Sequence, residues 1–202
     1  MVNDTLSGAT TIVPSTRWYR CQVTCGGNTV ASGTVKVTAI GTPLPAGTYT
    51  IDGNLATGGT NFNSFTDFKQ AIVCGGIGGP VVINVISKGS AYNEQVAFGA
   101  IGGASATNTI TINGNGQTLS YGGGGAQYAT LLFNGAQYFK IKNLKVEGTG
   151  TTTCFGIQLF GDARYIEIDS CTVSINPLAT ATSTGAFIAS GSLTLATTAG
   201  LA

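Results

Sequence analysis

The sequence predicts an all-β chain, mainly a parallel β-solenoid, with one short helix near its start and a β-hairpin ahead of it. Three observations carry that prediction. Charged side chains are few, nine Lys and Arg against eight Asp and Glu, while 31 residues are Gly. That balance favours short strands joined by turns over helices. The hydrophobic fraction of 43% allows a packed core and excludes simple disorder. The segment Leu132 to Ile141 recurs as Leu159 to Ile168, an offset of 27 residues. Repeats of that length without helices suggest stacked coils.

The same composition narrows function. A formal net charge of +1 removes the usual argument for nucleic acid or an anionic membrane as partner. The absence of His excludes Ser-His-Asp and Cys-His catalysis and His-based metal sites. No run of about 18 apolar residues is present, so no membrane insertion by a helix is expected. Cys21, Cys25, Cys74, Cys154 and Cys171 form no CxxC pair, which speaks against zinc, and neither a metal nor a cofactor is expected. The low-charge, Thr-rich surface points to an extracellular or cell-surface protein. Met1 to Thr16 lacks the basic and apolar regions of a signal peptide. The chain is therefore expected to be a piece of a longer secreted protein.

The first unit, residues 1–42, is expected to hold a hairpin and a linker. Trp18, Arg20, Gln22 and Thr24 alternate with Tyr19, Cys21, Val23 and Cys25, which reads as a period-two strand. Gly26, Gly27 and Asn28 supply turn residues, and Thr34 to Thr38 alternates again. Tyr19 stands two residues before Cys21, the spacing of a tyrosine corner in an immunoglobulin-type sandwich, so the segment reads as the last strands of such a domain. Cys21 and Cys25 are expected to be unbonded, because four residues of extended strand separate them by roughly 13 Å.

Pro43 and Pro45 mark the boundary to the second unit, residues 43–202. Its cap is expected over about 47–86 and its coils over about 87–202. Thr48 to Ile51 reads as a strand. Ser64 with Asp67 three residues later resembles a capping box, and Phe65, Phe68 and Ile72 follow at helical spacing, so a helix is expected over 65–74 and Gly75-Gly76 stops it. Val81 to Ile86 is a nearly continuous apolar strand, the pattern of two covered faces. Glu94 to Phe98 and Thr109 to Asn113 follow as further strands. In the repeat, Leu144 meets Cys171 and Val146 meets Val173, and a looser third copy starts near Gly185 with Phe187, Ile188, Leu193 and Leu195.

The repeat also predicts charge pairing. With Phe139, Ile141, Ile166 and Ile168 inward, Lys140 and Lys142 point out beside Glu167 and Asp169, giving two opposite-charge pairs across neighbouring coils. Each such pair is worth only about 0.2–1 kcal/mol, so they fix register more than stability. The same register makes Cys171 an inward core residue and no nucleophile.

The order strand, helix Phe65 to Ile72, strand Pro80 to Ile86, then Ala91-Tyr92-Asn93-Glu94-Gln95-Val96 and Ile110-Thr111-Ile112 resembles the N-terminal cap and first coils of the pectin-lyase-like right-handed parallel β-helix superfamily. The tyrosine–x–glutamate–x–valine run is similar to the signature opening pectin methylesterases. The hairpin ahead of it looks like the immunoglobulin-like modules preceding such β-helices in bacterial surface proteins. The resemblance implies the fold over roughly residues 45–200. The catalytic sets of the family's esterases and lyases match no position here, and Glu94 belongs to the fold signature. The last residues show no capping element, so truncation or an end-to-end partner is expected.

Polysaccharide hydrolysis needs two carboxylates converging on one bond, within about 10 Å. Here Asp162, Glu167 and Asp169 can cluster; solvated, paired surface charge is the leading reading and a calcium or sugar site involving Asp162 and Asp169 the lesser one. Neither Gly75 to Gly79 nor Gly122 to Gly125 has the context of a phosphate loop, so both read as turns. Tyr92, Tyr121, Tyr128 and Tyr138 read first as half-buried wall residues; a sugar-stacking surface that also includes Asp162 and Arg164 is the lesser reading. Three functions follow as expectations. The first is a non-catalytic structural or adhesive module that binds a polysaccharide or cell-surface glycan. The second is a fibre subunit that associates with itself through the hairpin and the open coil end. The third is the N-terminal fragment of a polysaccharide-active enzyme.

Overall fold

The structure, a computed structural model, describes residues 17–37, 41–122, 128–181 and 183–196, with backbone alone for 17–19 and 35–37. It divides into two compact units, Met1–Thr42 and Pro43–Ala202.

The first unit holds one interrupted antiparallel hairpin. Its strands β2 (Gln22–Cys25) and β3 (Asn28–Ala31) meet at Gly26-Gly27, whose φ values of 56° and 82° are those of the tight turn that matches strand twist. The expected turn ended at Asn28, but Asn28 already pairs with Cys25. The outer strands β1 (Arg17–Tyr19) and β4 (Val35–Val37) continue the pairing. Between inner and outer pairs, Arg20 and Cys21 oppose Ser32, Gly33 and Thr34, one residue more on one side, which is a bulge. Ser32 secures it: its amide donates to the Cys21 carbonyl at 2.9 Å and its hydroxyl accepts from the Cys21 amide at 3.0 Å. Cys21 and Cys25 are free and exposed. The tyrosine-corner expectation turns on the Tyr19 side chain, which lies outside the described residues.

The second unit is a parallel β-solenoid of about four turns. It opens with β5 (Gly47–Ile51), β6 (Asn61–Phe62) and α1 (Phe65–Gly75). Each coil then contributes one strand to each of three sheets. Sheet A runs β7 (Val81–Val85), β10 (Ile110–Asn113), β13 (Gln137–Lys142) and β16 (Arg164–Asp169), preceded by β5 and β6. Sheet B runs β8 (Tyr92–Asn93), β11 (Thr118–Tyr121), β14 (Lys145–Gly148) and β17 (Thr172–Ile175). Sheet C runs β9 (Val96–Phe98), β12 (Ala129–Asn134), β15 (Phe155–Phe160) and β18 (Gly185–Ala189).

Register follows from the side chains that fill the lumen. Ile83, Ile112, Ile141 and Ile168 stack in sheet A, and Tyr92, Leu119, Val146 and Val173 in sheet B. A one-residue slip would turn each set outward, so the apolar column itself specifies the pairing. In β7 one face is fully buried, while Val82 and Asn84 on the other are half-buried, so the strand is not covered equally on both sides as its composition suggested.

The repeat needs one correction. The gapless alignment set Leu132 against Leu159, but in sheet C Leu132 lies beside Gln158 and Phe133 beside Leu159, an offset of 26 residues. The next turn holds the extra residue: Gly135-Ala136 joins β12 to β13, whereas Gly161-Asp162-Ala163 joins β15 to β16. From there on the offset is 27, as Phe139 beside Ile166 and Val146 beside Val173 show. The third copy diverges too. Phe187 pairs with Ile157, but Leu193 and Leu195 leave the ladder. Residues 190–196 instead pass over the outside of sheet C, where Leu193 and Ala196 cover a second apolar cluster of Ala129, Leu132, Phe155 and Ile188. The Gln158 amide donates to the Ser192 carbonyl beneath that strap at 2.7 Å.

At the other end α1 takes the place of a further strand over sheets B and C. Ser64 is its N-cap, accepting from the Asp67 amide, and Gly76 at φ 75° ends it. An added Cβ on Gly76 would lie 2.5 Å from the Gly102 carbonyl, so both conformation and space require glycine. The helix buries Phe65, Phe68 and Ile72. Phe68 meets Phe98 with ring centroids 6.1 Å apart, and Phe65 meets Tyr92 edge-on at 5.4 Å.

Candidate functional site

The tyrosine–x–glutamate–x–valine run is structural at every position. Tyr92 is 1% exposed. Its hydroxyl donates towards the Ile86 carbonyl at 2.8 Å and the Ile51 carbonyl at 3.1 Å, and accepts from the Gly53 amide at 3.1 Å. Burial pushes its phenol above the ordinary tyrosine value, because the charged form would lose water. Glu94 sits at the positive end of α1: its carboxylate accepts from the Phe65 amide at 3.3 Å, the Thr66 amide at 2.8 Å and the Thr66 hydroxyl at 2.7 Å. Val96 is fully buried. Tyr92 therefore leaves the candidate ligand surface: a sugar cannot reach its ring.

The other tyrosines do not share one platform. Tyr121 ends β11, half-buried, beside Gly148. Tyr128 packs edge-on against Phe155 at 5.9 Å in the outer apolar cluster of sheet C. Tyr138 lies at the start of β13, and its neighbour one coil on is Tyr165, which the sequence reading did not single out. These two rings stack with centroids 4.7 Å apart and planes 10° from parallel. The signal was in the repeat itself, where a tyrosine returns at the same place in both copies.

Their backbone is unusual. Tyr138 and Tyr165 have φ of 61° and 56°, left-handed values that cost an L residue roughly 1–2 kcal/mol. At the turns joining sheets A and B the left-handed residues are Gly89, Gly116, Asn115, Asn143 and Ser170, glycines and small polar residues suited to it. The corner joining sheets C and A places two bulky rings in the same conformation.

Polar groups flank the stack. Asp162 is ion-paired with Arg164 and accepts from the Gln137 amide at 3.2 Å. Lys140 and Glu167 form an ion pair at 3.0 Å, and Lys142 reaches the other oxygen of Glu167 at 3.6 Å. The expected register holds, but the expected second pair does not: Asp169 stands beside Lys142 on the backbone, yet its carboxylate accepts from the Ser170 hydroxyl at 2.9 Å. The hydrogen bond from Lys140 holds the Glu167 carboxyl below its ordinary value. A concavity of about 330 Å³ lies against this corner, lined by Ala106, Thr109, Tyr138, Lys140, Tyr165 and Glu167 with Ile166.

Cys171 follows Leu144 at its turn and packs on the lumen core, but it is half-exposed where the expectation was a buried residue. The reason is position: β16 and β17, the strands it joins, are the last in their sheets. Asp162 and Asp169 are not joined in one cluster, and among the described residues no three metal-binding side chains converge. Glu147 lines a separate groove outside sheet B with Thr149, Ser174 and Asn176. Among the described residues no helix is long and apolar enough to cross a membrane. Compared with protein-family models, curated proteins and solved structures, the chain matches none of them.

Proposed function

We propose that the chain is a non-catalytic scaffold and adhesive module of an extracellular bacterial surface protein, with a polysaccharide or cell-surface glycan as its partner. The observation that carries this reading is where the carboxylates are used. Glu94 caps a helix, Glu167 bridges two lysines of the neighbouring coil, Asp162 holds Arg164 and Gln137, and Asp52 closes its own turn on Asn54. These are tasks of construction, distributed along the solenoid, and a stiff coil stack with a polar outer face suits display and adhesion. The cap-and-coil order remains similar to that of the pectin-lyase-like right-handed β-helix superfamily, and the hairpin to an immunoglobulin-like module. Both likenesses belong to this proposal.

The test is a panel of plant, algal and bacterial polysaccharides in affinity electrophoresis, run beside a turnover assay on pectin and alginate. Retardation by a glycan without turnover is the expected result. Turnover of either polymer would overturn the non-catalytic reading in favour of an enzyme fragment, and no retardation by any glycan would overturn the adhesive one. A second reading, self-association, is favoured by one observation: among the described residues no strand pairs with the outer edges of β16, β17 and β18, and Phe187 on β18 is 53% exposed. Light scattering across a concentration series tests it, with a constant monomer mass as the result against it.

A further inference from the structure

We infer that Tyr165, backed by Tyr138, is the platform on which an uncharged saccharide ring stacks. The inference rests on the glycan-binding reading above and names its site and ligand class. It begins from the strained backbone. A bulky residue with positive φ is an outlier, and such strain clusters at ligand-binding sites. Elsewhere in the coils left-handed positions hold glycine or small polar residues: Asn115, Asn143 and Ser170 between sheets A and B, Gly135 and Gly161 just ahead of these tyrosines. Two tyrosines at the corner between sheets C and A are thus retained for their rings.

Stacking then decides which ring is available. Tyr138 and Tyr165 cover each other on one face. Tyr165 is 63% exposed. Its second face is a flat, apolar surface fixed in orientation by the ring behind it. Lys140 and Glu167 line one concavity together with both rings, and Arg164, next to Tyr165 in the chain, pairs with Asp162, which also accepts from Gln137. A flat apolar face beside donors and acceptors is complementary to a pyranose, which offers a face of C–H groups and a rim of hydroxyls. The local charges balance, Arg164, Lys140 and Lys142 against Asp162, Glu167 and Asp169, so the site has no net preference for an acidic sugar or a phosphate.

The experiment titrates the protein with cellohexaose, mannohexaose, hexagalacturonate and a single-stranded oligothymidylate by calorimetry. It is repeated with Tyr165→Asn and Tyr165→Phe. Asparagine tolerates the left-handed backbone, so Tyr165→Asn is expected to unfold at the same temperature as the parent or higher. The parent is expected to bind an uncharged hexasaccharide. Tyr165→Asn should weaken that binding by about tenfold or more, the size of one lost stacking contact, while Tyr165→Phe stays within about threefold. Undiminished binding by Tyr165→Asn would overturn this inference and leave the glycan reading standing. Preference for hexagalacturonate or the oligonucleotide would overturn the ligand class. Failure of the parent to bind any glycan in the wider panel would overturn both. A fall in unfolding temperature of Tyr165→Asn with unchanged binding would assign the stack a structural role instead.

Discussion

The first and last described coils of the solenoid carry the same register and differ in how deeply their side chains are buried. Around the first coil Val81, Ile83, Val96 and Phe98 are fully buried, because α1 and β5 cover them. In the last, Ile166 and Ile168 stand in the columns of Val81 and Ile83, and Val173 in that of Tyr92, but all three are only partly buried. Two of the columns also taper. Phe98 and Phe133 are followed by Leu159 and Ala189 in sheet C, and Tyr92 and Leu119 by Val146 and Val173 in sheet B. A solenoid coil is stabilised mainly by its neighbours. A coil with two neighbours and large side chains should therefore outlast one with a single neighbour and small ones.

The largest expected effect of breaking that comparison lies in the cap. Phe68→Ala removes a fully buried ring that meets Phe62 and Phe98, and should cost about 3–5 kcal/mol in urea unfolding. Ile168→Ala, half-exposed in the last coil, should cost about 1 kcal/mol. Equal losses would mean the two ends are equally tight. Glu94→Gln comes next, at about 1.5–3 kcal/mol, since it removes charge-assisted bonds to two helix-terminal amides.

Tyr92→Phe should cost about 1–3 kcal/mol, because the Gly53 amide and the Ile86 carbonyl lose a buried partner. The pH dependence has a definite sign. The folded phenol lies above its unfolded value, so its contribution is whole below the ordinary tyrosine value near about 10 and is lost as pH rises through the folded value. Alkaline unfolding of Tyr92→Phe should lack that component.

The smallest effect belongs to the exposed ion pairs of the outer coils. Lys140→Met should raise the Glu167 carboxyl back towards its ordinary value, read by carboxyl-carbon NMR titration. Because the folded value is depressed, the pair's contribution is present above the unfolded value and fades as pH falls through the folded one. A Glu167 titration that does not move would assign the depression to another neighbour.

Much of this was legible in the sequence because one-dimensional patterns map onto it. Ser64, Asp67 and the Phe65–Phe68–Ile72 spacing marked α1 to within one residue of its end. A nearly continuous apolar run marked β7, alternation marked β10, and the 27-residue recurrence marked the coils. The misses have local causes. A gapless comparison cannot absorb Asp162, the extra residue between β15 and β16, so sheet C was read one position out of step. Lys142 was expected to take Asp169, but a lysine reaches further than its Cα partner and the Ser170 hydroxyl lay nearer to Asp169. Tyr92 is buried rather than a half-buried wall residue or a sugar-stacking ring, because a tyrosine's burial depends on what folds over it, here α1, and no pattern within Tyr92-Asn93-Glu94 reports that. The Tyr138–Tyr165 stack depends on a left-handed backbone at positions where alternation predicts plain extended strand.

Native-state hydrogen exchange of the whole chain, resolved by residue, tests the end-to-end difference most directly. Protection should be greatest in β7, β10 and β13 and fall in β16, β17 and β18, with the last coil opening at lower denaturant than the cap. Equal protection along sheet A, or exchange that begins at α1 and β5, would contradict it.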